Sequence, residues 1–119
     1  MNLKKKKELG NSGEEIACKY LQNKGYAIIK RNFYCKQGEI DIIAKYKNEM
    51  VFIEVKTRTS NSYGRPAEAV TSIKQLHMYK AARYFLYKKN LLNVAIRFDV
   101  IEVLLKDGRF RVNHIKQII

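Results

Sequence analysis

The alternation of apolar and polar positions is sharpest between Gly38 and Lys56. Gly38-Glu39-Ile40-Asp41-Ile42-Ile43-Ala44 leads into a polar connection from Lys45 to Glu49, followed by Met50-Val51-Phe52-Ile53-Glu54-Val55-Lys56. Two apolar runs of strand length around a short polar turn predict a β-hairpin. In the second run Val51, Ile53 and Val55 point to one face, and Phe52, Glu54 and Lys56 to the other. A turn centred on Lys47-Asn48 pairs Tyr46 with Glu49 and, counted back along both strands, sets Asp41 opposite Glu54. Opposed residues of an antiparallel pair have Cβ atoms about 4.5–5.5 Å apart. Two carboxylates that close repel each other unless a cation or a proton lies between them.

The flanking pattern places helices and further strands around this hairpin. Ser12 and Glu15 have capping-box spacing, which predicts a helix beginning near Ser12. It ends at Gly25, a natural left-handed cap, and Met1 to Gly10 reads as a basic lead-in. Ile16, Ala17, Tyr20 and Leu21 form the apolar stripe of this helix. Glu15 lands on the polar side, where it serves as a cap, but Glu14 lands at the inward edge, where a charge needs a reason. Tyr26 to Asn32 is β-rich, and Phe33 to Gln37 reads as a loop. After Lys56, Thr57 to Arg65 reads as a polar surface loop beside the hairpin, and Pro66 to Val70 begins helical sequence. Thr71 or Ser72 caps a longer helix to about Lys89, with Ile73, Leu76, Tyr79, Ala82 and Leu86 as its stripe. Val94 to Leu105 is a long strand, Asp107-Gly108 a hairpin turn, and Phe110 to Ile115 the returning strand. The order is helix, three strands, helix, two strands: one α/β sandwich domain over residues 1–119.

Length and charge sharpen the picture. A chain of 119 residues supports one core. The formal net charge of +13, from 24 basic and 11 acidic residues, favours a polyanionic partner, with nucleic acid ahead of an anionic membrane. No run reaches the length of a transmembrane helix, and no apolar segment follows Lys4–Lys7 to make a secretory signal. Cys18 and Cys35 lack C-x-x-C spacing and a nearby histidine pair, so they read as reduced thiols of a cytoplasmic protein.

Several motifs in order carry a resemblance. They are Gly13-Glu14-Glu15-Ile16-Ala17, Gly38-Glu39-Ile40-Asp41, Glu54-Val55-Lys56-Thr57-Arg58, Gly64-Arg65-Pro66-Ala67-Glu68-Ala69-Val70 and Arg97-Phe98-Asp99-Val100-Ile101. From about Ser12 to Val103 the chain resembles the bacterial YraN family, itself similar to archaeal Holliday-junction resolvases of the restriction-endonuclease-like, PD-(D/E)xK superfamily. A lone E-x-K would be weak, because charged alternation is common in half-exposed strands; the ordered set is specific. The resemblance implies a restriction-endonuclease-like, resolvase-like sandwich with a mixed central sheet flanked by helices. It further implies a metal-dependent endonuclease that hydrolyses phosphodiester bonds in DNA, branched DNA included. Residue by residue, it assigns Asp41, Glu54 and the main-chain carbonyl of Val55 to Mg²⁺ or Mn²⁺. Lys56 matches the residue that orients or activates water, and Glu14 the acid of the first helix. Ile40 stands where the superfamily names a proline, a departure that many members share.

Each assignment has a plainer counterpart. Asp41 and Glu54 read either as metal ligands or as a pair neutralised by Lys56 alone, and Glu14 either as part of the ligand set or as a helix-dipole carboxylate. Arg58, Arg65 and Lys74 lie where phosphate contacts would help. Gln75 sits near the start of the second long helix, where related nucleases place a polar or basic residue facing the metal. His77 and His114 stand outside any triad and read as structural. The rival function is a non-catalytic nucleic-acid-binding protein on the same fold, with DNA ahead of RNA as partner. Symmetric cutting of a four-way junction would require a homodimer, although the apolar stripes are needed for the core.

Overall fold

The two periodicities of the sequence become the two faces of one sheet. The structure, a computed structural model, describes residues 3–59 and 71–119, with side chains described from Ser12 onward. The elements are α1 (Leu3–Asn23), β1 (Ala27–Cys35), β2 (Gly38–Tyr46), β3 (Glu49–Thr59), α2 (Ser72–Lys88), β4 (Ala95–Lys106) and β5 (Arg109–Ile115). The five strands lie in sequence order. All neighbours are antiparallel except β3 and β4, which run parallel and are joined through α2. The sheet is therefore mixed, with a helix on each face. On one face α1 packs Ala17, Cys18 and Leu21 into a cluster with Val51, Ile53 and Ile101. On the other, Met78, Ala82 and Phe85 of α2 pack with Phe52, Phe98 and Val100.

The predicted hairpin register holds. Tyr46 pairs with Glu49 and Ile42 with Ile53, and Lys47 adopts φ 54° in the turn. At the second hairpin Asp107 (φ 51°) and Gly108 (φ 72°) are both left-handed, as a type I′ turn requires. The β1–β2 ladder carries one irregularity, between Ile28 and Lys30.

Four boundaries or faces differ from expectation. Helix α1 begins at Leu3, not near Ser12, because the leucine, lysines and glutamate ahead of Gly10 are good helix formers that carry the turn through. Ser12 and Glu15 therefore lie inside the helix and form no capping box; Glu15 Oε2 instead meets Arg31 Nη1 of β1 at 3.0 Å. Gly13, inside this helix, is a contact point, since a Cβ there would sit 1.8 Å from Thr57 Oγ1 of β3. Gly13→Ala is expected to lower stability by about 1–3 kcal/mol, through overpacking, in urea unfolding. Adding Thr57→Ala should return part of that loss.

Strand β1 runs on to Cys35 and absorbs part of the predicted loop, because Phe33 pairs with Ile40 and Cys35 with Gly38. Strand β3 likewise continues past Lys56. Thr57, Arg58 and Thr59 pair with Val103, Leu104 and Leu105 of β4 and are not a loop. Tyr63, Arg65 and the Gly64–Val70 motif, with the helical sequence expected from Pro66, lie outside the described residues.

The cap of α2 is Thr71, whose Oγ1 accepts the Lys74 amide at 3.2 Å. Its buried face, however, is Met78, Ala81, Ala82 and Phe85, while Ile73 (68% exposed), Leu76 (49%) and Tyr79 (40%) face outward. Both sets have helical spacing, so period alone could not choose between them. The adjacent alanines let the helix approach the sheet closely, and that decides the face. Among the described residues no helix is long and apolar enough to cross a membrane.

Candidate functional site

The site forms where two strands part. The β2–β3 ladder stops at Ile42 and Ile53, whereas β3 stays paired with β4 as far as Thr59 and Leu105. Past Ile53 the β2 side of β3 is open. The Val55 amide donates to Asp41 Oδ2 at 2.8 Å instead of entering the ladder, and that bond aims the Asp41 carboxyl at β3. Glu54, the next residue after Ile53, is 4% exposed. The carboxyl groups of Asp41 and Glu54 lie within hydrogen-bonding reach of each other.

Two ammonium groups converge on Glu54. Lys56 Nζ lies 3.5 Å from Glu54 Oε1, and Lys74 Nζ lies 3.2 Å from the same oxygen. Lys56 comes from two residues along the strand, and Lys74 from the first turn of α2, which the Thr71 cap holds. The other oxygen, Glu54 Oε2, is buried without a hydrogen-bond partner, and so is Glu14 Oε1. The contact of Gly13 with Thr57 brings Glu14 over this end of β3.

The electrostatics report crowded anions. Burial pushes the Asp41 carboxyl up to about 8, and the neighbouring Glu54 charge adds to this. The Val55 N–H opposes the rise, while the hydrogen bond to Glu54 and the charge of Glu14 reinforce it. Glu14 is also raised, first by burial; Arg31 opposes, and Glu54 and Glu39 add to the effect. Burial works against the charge on Lys74, but Glu54, Asp41 and Glu39 outweigh it, so its pKa rises and it stays protonated.

Buried carboxylate oxygens without donors are costly, and either a proton or a small cation would relieve them. Among the described residues no group of three or more His, Cys, Asp or Glu side chains is placed to hold a metal ion together. The protein therefore offers the Asp41–Glu54 pair with Glu14 alongside. Mg²⁺ is commonly held by one or two carboxylates and keeps several waters, so the donor set fits such an ion.

The other candidates fall at varied distances from this centre. Val55 acts through its amide, as the donor to Asp41. Arg58 lies further along β3 and is tethered to β4, with its Nε 2.9 Å from Glu102 Oε2. Gln75 is half-buried beside Lys74, its backbone N–H donating to the Thr71 carbonyl. Arg65 lies outside the described residues.

The uncharacterised protein family UPF0102 matches over residues 13–103. The chain belongs to this family. UPF0102 is the YraN family that the motifs resemble. A UPF0102 protein of Clostridium botulinum is 57% identical over 100 residues, covering 83% of this chain and 81% of that protein. Another, of Caldicellulosiruptor saccharolyticus, is 54% identical over 98 residues, or 82% and 83% of the two chains. A third, of Caldanaerobacter subterraneus, is 50% identical over 113 residues, or 92% and 93%. The matched span of UPF0102 contains Glu14, Asp41, Glu54, Lys56 and Lys74.

A second polar cluster of this UPF0102 chain escaped the sequence reading. Asp99 of β4 pairs in register with Ile53, so it shares the α1 face, opposite Glu54. It is wholly buried and accepts from Arg97 Nε at 3.0 Å, Arg97 Nη2 at 2.9 Å and the Gln117 amide at 3.1 Å. His114 Nε2 lies 2.7 Å from it, and Tyr20 OH lies 3.1 Å from His114 Nδ1. Arg97 also reaches the Tyr26 hydroxyl and Glu49. Burial alone would raise the Asp99 carboxyl, but the bonds from His114, Arg97 and the Gln117 amide hold it below the usual carboxylate range. His114 is thus structural, as expected, but belongs to a network. The one sequence signal was two opposite charges, Arg97 and Asp99, sharing a face inside an apolar run. Asp99→Ala leaves the buried Arg97 with only the longer contact to Glu49 and is expected to cost about 3–5 kcal/mol in chemical denaturation.

Proposed function

We propose that this UPF0102 protein is a divalent-metal-dependent endonuclease that hydrolyses phosphodiester bonds in DNA, on a restriction-endonuclease-like fold. One observation carries the reading: two buried carboxylate oxygens, Glu14 Oε1 and Glu54 Oε2, lack donors beside a pair of lysines. Asp41 and Glu54 would hold Mg²⁺ or Mn²⁺, with Glu14 at the edge. Such an ion, when bound, polarises a phosphate oxygen and lowers the pKa of water.

The chain's own groups do the rest. The Val55 amide fixes the direction of the Asp41 carboxylate, and the two lysines on Glu54 Oε1 leave Oε2 turned away from them. The Lys56 ammonium stands where it can offset charge gathering on a phosphoryl group. Asp41, with its pKa raised to about 8, would have to give up its proton to hold a cation. The net charge of +13 supports a polyanionic substrate.

The test incubates the protein with linear duplex, single-stranded and four-way-junction DNA, in Mg²⁺, Mn²⁺ or EDTA. Cleavage that requires the metal is the expected result. Salt-sensitive binding without any cutting would assign the chain to non-catalytic DNA binding instead. Paired, symmetric cuts in the junction would call for a homodimer.

A further inference from the structure

Helix α2 has two faces with apolar spacing, and the core covers only one. The outer face carries Ile73, Leu76, Tyr84 and Tyr87, the last 72% exposed. Lys80, Arg83 and Lys88 are interleaved with them, and no acidic residue occurs anywhere from Ser72 to Lys88. Two of these cations lie over rings of the same helix: the Arg83 guanidinium 5.8 Å above Tyr79 and the Lys88 ammonium 5.8 Å above Tyr84. A contiguous exposed apolar and aromatic patch on a small domain marks an interaction surface.

The charge pattern narrows the occupant. A second copy docked through the same face would bring its cations against like cations, with no acid on either helix to offset them. Rings alternating with cations suit a ligand made of flat apolar groups joined by regularly spaced anions. Single-stranded nucleic acid has that chemistry: unpaired bases stack on aromatic side chains while phosphates meet lysine and arginine. A duplex hides its base faces and could use the cations alone.

We infer that the outer face of α2 binds single-stranded DNA through base stacking on Tyr84 and Tyr87. The placement beside a cleavage centre rests on the nuclease reading, because Lys74 at the start of the same helix touches Glu54. Tyr87 lies thirteen residues further along, about 20 Å down the axis at the rise of an α-helix.

Fluorescence anisotropy in EDTA separates this inference from the nuclease reading, since no metal chemistry enters. The probes are a labelled oligothymidylate, an equally long strand of abasic residues, and a blunt duplex. The double variant Tyr84→Ala/Tyr87→Ala is expected to bind oligothymidylate about 10–100-fold more weakly, given the cost of losing stacked bases. Its affinity for the abasic strand and the duplex should change by less than about threefold, the phosphate contacts being intact. Tyr84→Phe/Tyr87→Phe, which keeps the rings and tests against unfolding, should bind like wild type. Equal losses on all three probes, or an unchanged affinity for oligothymidylate, would overturn the inference and leave the face to an acidic protein or an anionic bilayer. A protein that cuts nothing can still pass this test, and an active nuclease can fail it.

Discussion

Replacing Lys56 by alanine is expected to slow DNA cleavage by about 10²–10³-fold, the usual cost of removing one group placed where charge develops. Binding in EDTA should weaken only slightly, as for any one of many phosphate contacts. The split follows from geometry. Lys56 is held on a strand, 3.5 Å from the carboxylate of Glu54, so its charge is fixed before a phosphate arrives. Lys74 touches the same oxygen and retains part of the field, so Lys74→Ala should cost less and the double variant more than either. Glu54→Gln keeps the shape but removes the anion that organises both lysines and would help to hold the cation; it should lose the most. Single-turnover cleavage rates with saturating Mn²⁺ measure all four. If Lys56→Ala cuts as fast as wild type, this lysine has no part in the chemistry.

The second large effect concerns stability rather than rate. Asp41 is raised from the ordinary 3.8 to about 8 in the folded chain, first by burial and then by Glu54. The folded state therefore holds a proton that the unfolded state releases. The stability tied to that proton is complete below the ordinary carboxylate value and is lost as pH climbs towards about 8. Asn at this position keeps an acceptor for the Val55 amide but cannot ionise. Asp41→Asn should accordingly melt several degrees above wild type at about pH 9 in EDTA, and close to it at about pH 5. Added Mg²⁺ should raise the Tm of wild type at the higher pH by mass action and leave the variant nearly unmoved. A difference between the two proteins that is the same at both pH values would remove Asp41 from the account.

What could be read from residues alone divides by the range of the interaction involved. The β2–β3 hairpin is local: period-two alternation and a two-residue turn determine which side chain faces which, so the pattern alone brings Asp41 beside Glu54, one pair beyond the end of the ladder. The Thr71 cap of α2 and the Asp107-Gly108 turn are equally local. The buried face of α2 was not accessible in this way, because two sets of positions that share Ala82 satisfy the same period, and the close approach allowed by the adjacent Ala81 favours the one with Met78 and Phe85. The start of α1 lies ahead of the Ser12/Glu15 spacing because a capping-box pattern also occurs inside helices, and only the helix-forming residues before Gly10 reveal the earlier start. Lys74 was expected near a phosphate; its ion pair with Glu54 is a contact between a helix and a strand that no local pattern encodes. The Asp99 network needs Tyr20, Tyr26, Arg97 and His114 from separate elements to meet, and sequence spacing has no means of bringing them together.

Among the described residues the sheet is open, with β1 and β5 as its two borders. Unpaired backbone along such borders invites strands of other molecules to join, which is the route to fibres. The break in the β1–β2 ladder between Ile28 and Lys30 and the left-handed Asn32 (φ 52°) interrupt the first border. Arg109 and Arg111 put charge on the short second one. Irregular backbone on one side and like charge on the other let a small, heavily charged chain be concentrated without polymerising edge to edge.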